Sequence, residues 1–220
     1  MLWNKRHMPG ICIDQLVKVL MNLCPVRNGF VRRRNQESKK PLDPYLLPHT
    51  SFGNRLARFL WGIVYVLFFR LSPQPFHSWR SLLLKCFGAE LGKNCHIYPK
   101  ARIWAPWNLQ CEDAVGIADE AIVYNPCSVF LGSHATVSQQ AYLCGATHNI
   151  DDPAFPVLPG PIKIGRYAWI CARATVMPNV TVSEGAVLGL GSVATSDLEE
   201  WSVYVGVPAQ KRKERVRHCL

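Results

Sequence analysis

The chain of 220 residues is 49% apolar and 18% charged, a composition that excludes an intrinsically disordered protein and suits one main globular domain. Its net charge of +10 lies mainly near the two ends, in residues 27–40 and 211–217. Neither basic cluster carries a nucleic-acid recognition motif, so we predict no nucleic-acid partner. The nine cysteines are scattered without a CxxC pair, which indicates reduced thiols in a cytoplasmic protein.

The N-terminal part divides into two predicted segments. Residues 1–42 are basic and are predicted to form a weakly ordered extension. Residues 43–90 are predicted to be a helical cap, within which the uninterrupted apolar run of 11 residues, Phe59 to Phe69, is too short to cross a bilayer. Two interpretations of residues 55–71 stay open. The helix either covers the open end of the repeat that follows, or it touches the inner face of a membrane through its arginines.

Residues 91–199 repeat with a period of six. A helix repeats its apolar face at three, four and seven, so this spacing excludes an amphipathic helix. Six residues make one short strand and a turn, and three such units make a triangular coil. We therefore predict an all-β solenoid, a parallel β-helix of hexapeptide repeats. The inward aliphatic positions are Leu91, Ile97, Ile103, Cys111, Ile117, Val123, Leu131, Val137, Leu143, Ile164, Ile170, Val176, Val182, Leu188 and Ala194.

The repeat is interrupted after His148. Residues 148–161 contain Asp151, Asp152 and four prolines but no hexad. A loop of this length in an otherwise regular fold is where a functional site is expected. We therefore predict that residues 148–161 form an active-site loop.

Three stretches carry a resemblance to a known family: THNIDDPAFP, PIKIGRYAWICARATVMPNVTVSEGAVLGLGSVAT and GVPAQKRK. They resemble the hexapeptide-repeat O-acetyltransferases of the galactoside, maltose, nodulation and colanic acid biosynthesis types, over about residues 50–213. The resemblance implies a left-handed β-helix and a homotrimer with active sites between subunits. It also implies acetyl-CoA as co-substrate and a sugar or exopolysaccharide precursor as acceptor.

The resemblance implies His148 as the catalytic residue, and its chemistry agrees. Acylation of a hydroxyl needs a base to accept the hydroxyl proton, and imidazole suits this task near neutral pH. Asn125 and Asp152 are the implied substrate-binding residues. Asp152 could orient the imidazole, contact acceptor hydroxyls or only cap the loop turn.

The cofactor residues also follow from the resemblance. Trp169 matches a family tryptophan beside the CoA groove, with an exposed structural aromatic as the alternative. Backbone atoms of four further residues would line that groove, and Gly206 and Pro208 would meet the adenine. Residues 200–220 form a predicted basic tail for the CoA phosphates, although Gln210 replaces an arginine of a relative. The groove residues are Ala172, Leu190, Gly191 and Thr195, and the tail residues are Lys211, Arg212 and Lys213.

Two functions other than acetyl transfer are compatible with a β-helix. A zinc enzyme of the γ-carbonic anhydrase type needs three converging histidines. His96, His134 and His148 occupy different positions within their hexads, so we predict no metal. A β-helix scaffold without catalytic activity is the other alternative, and CoA binding distinguishes it from an enzyme.

Overall fold

The computed structural model describes residues 51–217, in which a parallel β-helix of about six turns follows an N-terminal helical cap. The predicted extension, residues 1–42, lies outside the described residues. The helices are α1 (Phe52–Val64), a π-helix (Tyr65–Phe69) that continues it, α2 (His77–Cys86) and a short 3-10 helix (Pro106–Asn108).

Nineteen short strands build the β-helix and two hairpins within residues 51–217. They are β1 (Glu90–Leu91), β2 (His96–Ile97), β3 (Arg102–Ile103), β4 (Leu109–Cys111), β5 (Gly116–Ile117), β6 (Ile122–Tyr124), β7 (Val129–Leu131), β8 (Thr136–Val137), β9 (Tyr142–Cys144), β10 (Ala146–His148), β11 (Val157–Pro159), β12 (Ile162–Ile164), β13 (Trp169–Ile170), β14 (Thr175–Val176), β15 (Thr181–Val182), β16 (Val187–Leu188), β17 (Val193–Ala194), β18 (Ser202–Val205) and β19 (Gln210–Glu214).

The strands form the three faces of a prism. Face 1 contains β1, β4, β7, β12 and β15, face 2 contains β2, β5, β8, β13, β16, β18 and β19, and face 3 contains β3, β6, β9, β14 and β17. Strands stack in parallel with equivalent residues in register, as where Ile164 pairs with both Leu131 and Val182. The inward residue of each hexad is buried. The predicted hexad register and β-helix are therefore confirmed, and each buried aliphatic side chain contributes about 1.5–3 kcal/mol.

The helical cap closes the N-terminal end of the prism. The Trp61 side chain is buried, and its Nε1–H donates to the Ile103 carbonyl at 2.8 Å. The fully buried Arg80 donates to the carbonyls of Ile97 at 2.6 Å and Pro73 at 2.8 Å, and burial lowers the pKa of its guanidinium. The contacts with Ile97 and Ile103 satisfy carbonyls at the open end of the first coil, as a cap must.

The opposite face of this cap is not covered. Residues Phe52–Phe69 form one continuous 18-residue helical stretch of mean hydropathy 1.2, and only 11% of it is buried. By length and composition alone this stretch could cross a membrane. The apolar run counted from sequence is shorter because Arg55 and Arg58 interrupt it near its N-terminal end.

A hairpin closes the C-terminal end. Strand β18 pairs in parallel with β16 and antiparallel with β19. Nη1 of Arg215 donates to the carbonyls of Tyr167 and Gly185, both at 2.9 Å. Residues 200–217, predicted as a basic tail, are thus folded against the last coil.

Candidate active site

The chain leaves the regular coil at Gly145, at the corner where face 3 meets face 1. This position, the 3–1 corner, carries the antiparallel hairpin β10–β11, with His148 opposite Val157. Gly145 donates to the Tyr124 carbonyl at 2.7 Å, and a Cβ at this position would lie only 2.5 Å from that oxygen. Gly160 donates to the Gly145 carbonyl at 2.9 Å and closes the hairpin at its root. The interruption predicted from the sequence is therefore an ordered projection from the prism.

His148 lies exposed on this projection with its ring held from one side. The imidazole stacks on Phe155 at 4.3 Å between ring centroids and 15° between planes. Nδ1 lies 3.0 Å from the Phe155 carbonyl oxygen. Because a carbonyl only accepts hydrogen bonds, Nδ1 carries the proton in this contact and Nε2 is left as the acceptor. A neutral imidazole in this tautomer can take a proton at Nε2.

Asp152 shapes the tip of the same projection. Its Oδ1 accepts from the Ala154 backbone N–H at 2.8 Å, and its carbonyl accepts from the Phe155 N–H at 2.8 Å. This is an Asx turn that leads directly into the residue supporting His148. The predicted contact between Asp152 and substrate stays a prediction.

Asn125 lies one coil below the projection and is fully buried. Its Oδ1 accepts from the Ala105 N–H at 2.9 Å, and its Nδ2 donates to the Ala105 carbonyl at 2.7 Å. The side-chain amide therefore replaces a backbone pairing between two coils at the 3–1 corner. These bonds give Asn125 a structural role within one chain, and its predicted contact with substrate stays a prediction.

Most of the predicted cofactor residues come together along another edge, the 2–3 corner, where face 2 meets face 3. Gly191 donates to the Ala172 carbonyl at 3.0 Å, and Val193 donates to the Gly206 carbonyl at 3.0 Å. Gly191 has a φ of +65°, and no atom lies within 4 Å of where its Cβ would be. The resulting column is exposed at Leu190, Gly191, Gly206 and Pro208.

The two remaining groove residues lie on either side of this column. Trp169 is on face 2 with an exposed ring, and its Nε1–H donates to Ser138 Oγ at 2.8 Å. Thr195 follows β17 and is exposed at the 3–1 corner, so one strand separates it from the column. The structure therefore groups Trp169 with the column but not Thr195.

The three predicted phosphate-binding residues differ in how much of their charge is available. Lys211 Nζ lies 2.7 Å from Glu199 and 2.6 Å from Glu214, and these carboxylates raise the pKa of the lysine. Arg212 and Lys213 are exposed and have no ion-pair partner within residues 51–217. The unpaired positive charge on β19 is therefore that of Arg212 and Lys213.

The other candidate histidines have aromatic neighbours. His96 stacks on His77 and His134 stacks on Tyr167, each at 4.9 Å between ring centroids. Among the described residues, no group of three or more His, Cys, Asp or Glu side chains is placed to hold a metal ion.

Within one chain, His148 and the column occupy different corners of the prism. On the same coil, Gln140 marks the 2–3 corner and Gly145 marks the 3–1 corner. Gly145 is five residues further along the chain, an extended path of roughly 16 Å at about 3.3 Å per residue. A single chain therefore presents the predicted base and the predicted cofactor residues on separate edges.

Known acetyltransferases share sequence or fold with this chain. No family profile matches the chain. The colanic acid biosynthesis acetyltransferase WcaF of Escherichia coli K12 is 35% identical over 164 residues, which are 74% of this chain and 90% of WcaF. The chain belongs to the WcaF family of acetyltransferases.

Solved structures of hexapeptide-repeat acetyltransferases have a fold similar to that of this chain. A hexapeptide-repeat acetyltransferase from Vibrio cholerae, solved with acetyl-CoA, matches with a TM-score of 0.71 and 18% identity, over 77% of this chain and 93% of that one. A maltose O-acetyltransferase from Clostridium difficile 630 matches with a TM-score of 0.68 and 21% identity, over 76% and 90% respectively. The predicted family and fold are confirmed.

Two residues of the candidate active site, Phe155 and Gly145, were not predicted from the sequence. Phe155 supports His148 through both its ring and its carbonyl. Position 145 at the start of the projection accommodates only glycine, because a Cβ there would lie 2.5 Å from the Tyr124 carbonyl oxygen. An aromatic residue directly after Asp-Pro-Ala in the loop was the available signal for Phe155. The signal for Gly145 was weaker because glycine also occurs at ordinary corners of the repeat.

Proposed function

We propose that this acetyltransferase moves the acetyl group of acetyl-CoA to a hydroxyl of a sugar or exopolysaccharide precursor, with His148 as general base. The observation that carries the proposal is the exposed imidazole whose Nδ1 is engaged by the Phe155 carbonyl. Two similar proteins are named for sugar chemistry, a colanic acid biosynthesis acetyltransferase and a maltose O-acetyltransferase.

The reaction can be written on this geometry. Nε2 of His148 accepts the proton of the acceptor hydroxyl while the hydroxyl oxygen forms a bond to the thioester carbonyl carbon. The carbon–sulfur bond then breaks and CoA leaves as a thiolate. This thiolate accepts the proton that the imidazolium had received from the hydroxyl. The Phe155 carbonyl, facing Nδ1–H at 3.0 Å, stabilises the imidazolium during this exchange. The products are the acetyl ester and CoA.

The 2–3 corner is our proposed site for CoA. Small residues at Ala172, Gly191 and Gly206 leave space along this corner for the pantetheine arm, and the exposed ring of Trp169 supplies an apolar surface beside them. We assign the phosphates to Arg212 and Lys213, because the charge of Lys211 is already paired. Thr195, at the other corner, would contact CoA from a neighbouring subunit.

A homotrimer in the cytoplasm with shared active sites is the proposed assembly. A complete site needs both the base and the column, and one chain carries them on different edges. In a ring of three subunits, the 3–1 corner of one chain can face the 2–3 corner of the next. Each of the three clefts would then contain one His148 and one CoA column.

The test is an assay of acetyl transfer to a panel of sugars and glycosides, in which the released CoA thiol is measured. His148→Ala is expected to lower kcat by about 10²–10⁴-fold, the range for loss of a general base, while CoA binding is retained. His134→Ala is the matched control, since that ring stacks on Tyr167 at a plain corner, and it should keep the parental rate. Near-parental transfer by His148→Ala would show that the base is wrongly assigned.

A further inference from the structure

Apart from Arg55, every exposed residue of α1 and its π-helical extension is apolar. Its exposed residues follow helical spacing, and two of them, Phe52 and Phe59, are 79% and 65% exposed. The opposite face of the same helix packs on the prism through Trp61. A cap needs only one apolar face, so the second one is unexplained by capping. The residues of the outer face are Phe52, Leu56, Phe59, Leu60, Ile63, Val66 and Leu67.

The patch continues onto α2. Phe68 and Leu71 are exposed at the end of the first helix, and Phe76, Trp79 and Leu82 are exposed on the second. The indole N–H of Trp79 donates to the Phe68 carbonyl at 3.0 Å, which joins the two parts. An apolar surface of this extent on a folded protein marks an interaction site.

The charged side chains of residues 51–89 are all basic, although Glu120 of the β-helix lines a pocket together with Arg70. The sequence has no aspartate or glutamate from residue 44 to residue 89. Arg55 and Arg70 are exposed near the two ends of the first helix, and neither has an ion-pair partner within residues 51–217. Arg58 stacks over Trp104 at 4.4 Å, and its buried Nε has no hydrogen-bond partner. An anionic membrane surface has negatively charged headgroups above an apolar acyl layer. The unpaired arginines are complementary to the headgroups, and the apolar face is complementary to the acyl layer.

We propose that this surface, the outer face of α1 and α2, docks the protein on an anionic lipid bilayer. The apolar side chains enter the boundary between headgroups and acyl chains, while Arg55 and Arg70 contact lipid phosphates. Arg58 and Arg70 also line a groove of about 500 Å³ against face 3, together with Arg102, Tyr65 and Trp104, where a headgroup phosphate can be bound. This surface does not depend on which acceptor the enzyme uses.

The helix lies along the membrane and does not cross it. Its 18 residues span about 27 Å, but Trp61 and Phe69 are buried in the cap and Trp61 is bonded to Ile103. Crossing the bilayer would require both side chains to leave the fold. A second copy is a poorer occupant of this patch than lipid, because a two-fold contact would place arginines against arginines and residues 44–89 contain no carboxylate to pair with them.

The test is flotation of the full chain with vesicles of phosphatidylcholine, alone or mixed with phosphatidylglycerol. The parent protein is expected to float with the mixed vesicles, and the double variant Phe59→Asp with Ile63→Asp should bind at least about tenfold more weakly. Val216→Asp, a change at an exposed apolar residue near the C-terminus, is the matched control and should bind like the parent. Unchanged circular dichroism and transfer to a soluble acceptor would show that the double variant is folded.

The arginines provide a second test. Arg55→Gln with Arg70→Gln should weaken binding to the mixed vesicles by about fivefold per charge removed, whereas Arg166→Gln, at a corner of the fourth coil, should not. The proposal is overturned if the parent protein floats with neither vesicle, or if it floats equally with both. A parent that stays unbound while the double aspartate variant dissociates into monomers would instead identify a contact between copies.

Discussion

The two corners of the prism that carry the candidate site are built in different ways. At the 3–1 corner the chain leaves the coil, and a hairpin carries one imidazole supported by Phe155. At the 2–3 corner the coils stack without interruption, and the small residues Ala172, Gly191 and Gly206 follow one another along the edge. Chemistry at a single atom requires a fixed side chain, whereas binding a long flexible cofactor requires an open, continuous edge. Changes at the first corner should therefore affect rate, and changes at the second should affect affinity.

A large effect on CoA binding is expected from a change at the 2–3 corner. Ala172→Trp fills the column and should raise the Kd for CoA at least thirtyfold, roughly the loss of a contact worth 2 kcal/mol. Arg166→Trp, at the equivalent turn position of another corner in the same coil, should leave that Kd unchanged.

Co-expression of Ala172→Trp and His148→Ala chains separates shared sites from sites within one chain. If neighbouring subunits share the site, mixed trimers contain some clefts with an intact His148 and an intact column, and acetyl transfer returns. Mixed trimers as inactive as either single variant would contradict the shared site.

Asn125 distinguishes the structural from the substrate-binding interpretation of the 3–1 corner. Asn125→Leu leaves the buried N–H and carbonyl of Ala105 without partners, so the free energy of unfolding should fall by about 2–5 kcal/mol. Gln110→Leu, on the exposed side of face 1, should change it by less than about 0.5 kcal/mol. An unchanged stability with a raised KM for the acceptor would support direct contact with substrate.

Phe155 should act on rate alone. Phe155→Ala removes the ring that stacks on His148 but keeps the backbone carbonyl, so kcat should fall by about tenfold with the KM for acetyl-CoA unchanged. Leu158→Ala, on the neighbouring strand of the hairpin, is the control. A rise in the KM for acetyl-CoA without loss of kcat would move Phe155 from positioning the base to binding the cofactor.

The smallest effect is expected on β19. Replacing Arg212 and Lys213 by glutamine should weaken CoA binding a few-fold, by about 0.3–1 kcal/mol per exposed charge. The binding of dephospho-CoA should be weakened less. Lys211→Gln should do little to either ligand because two glutamates already engage its amine. Isothermal titration with both ligands measures the difference, and equal losses for both would argue against contacts with the 3′-phosphate.

The repeating features of the fold could be predicted from the sequence. The hydrogen bonds and ion pairs that form between coils could not. Inward positions such as Leu131 and Ile164 recur with a fixed period, so both the prism and its interruption could be anticipated. The hydrogen bonds of Asn125 join residues twenty apart and carry no local signature. Likewise, the pairing of Lys211 with Glu199 exists only because β19 folds back along β18. The apolar outer face of α1 was visible as composition, but its exposure depends on which side of the helix meets the prism.

The most direct test of the account is a crystal structure of the oligomer with CoA and an acceptor sugar bound. We expect CoA to lie along the 2–3 corner, with its sulfur and the acceptor hydroxyl at a cleft where His148 Nε2, from the adjacent subunit, is about 3–3.5 Å from that hydroxyl. A CoA molecule bound away from the column, or an acceptor with no His148 beside it, would contradict the account.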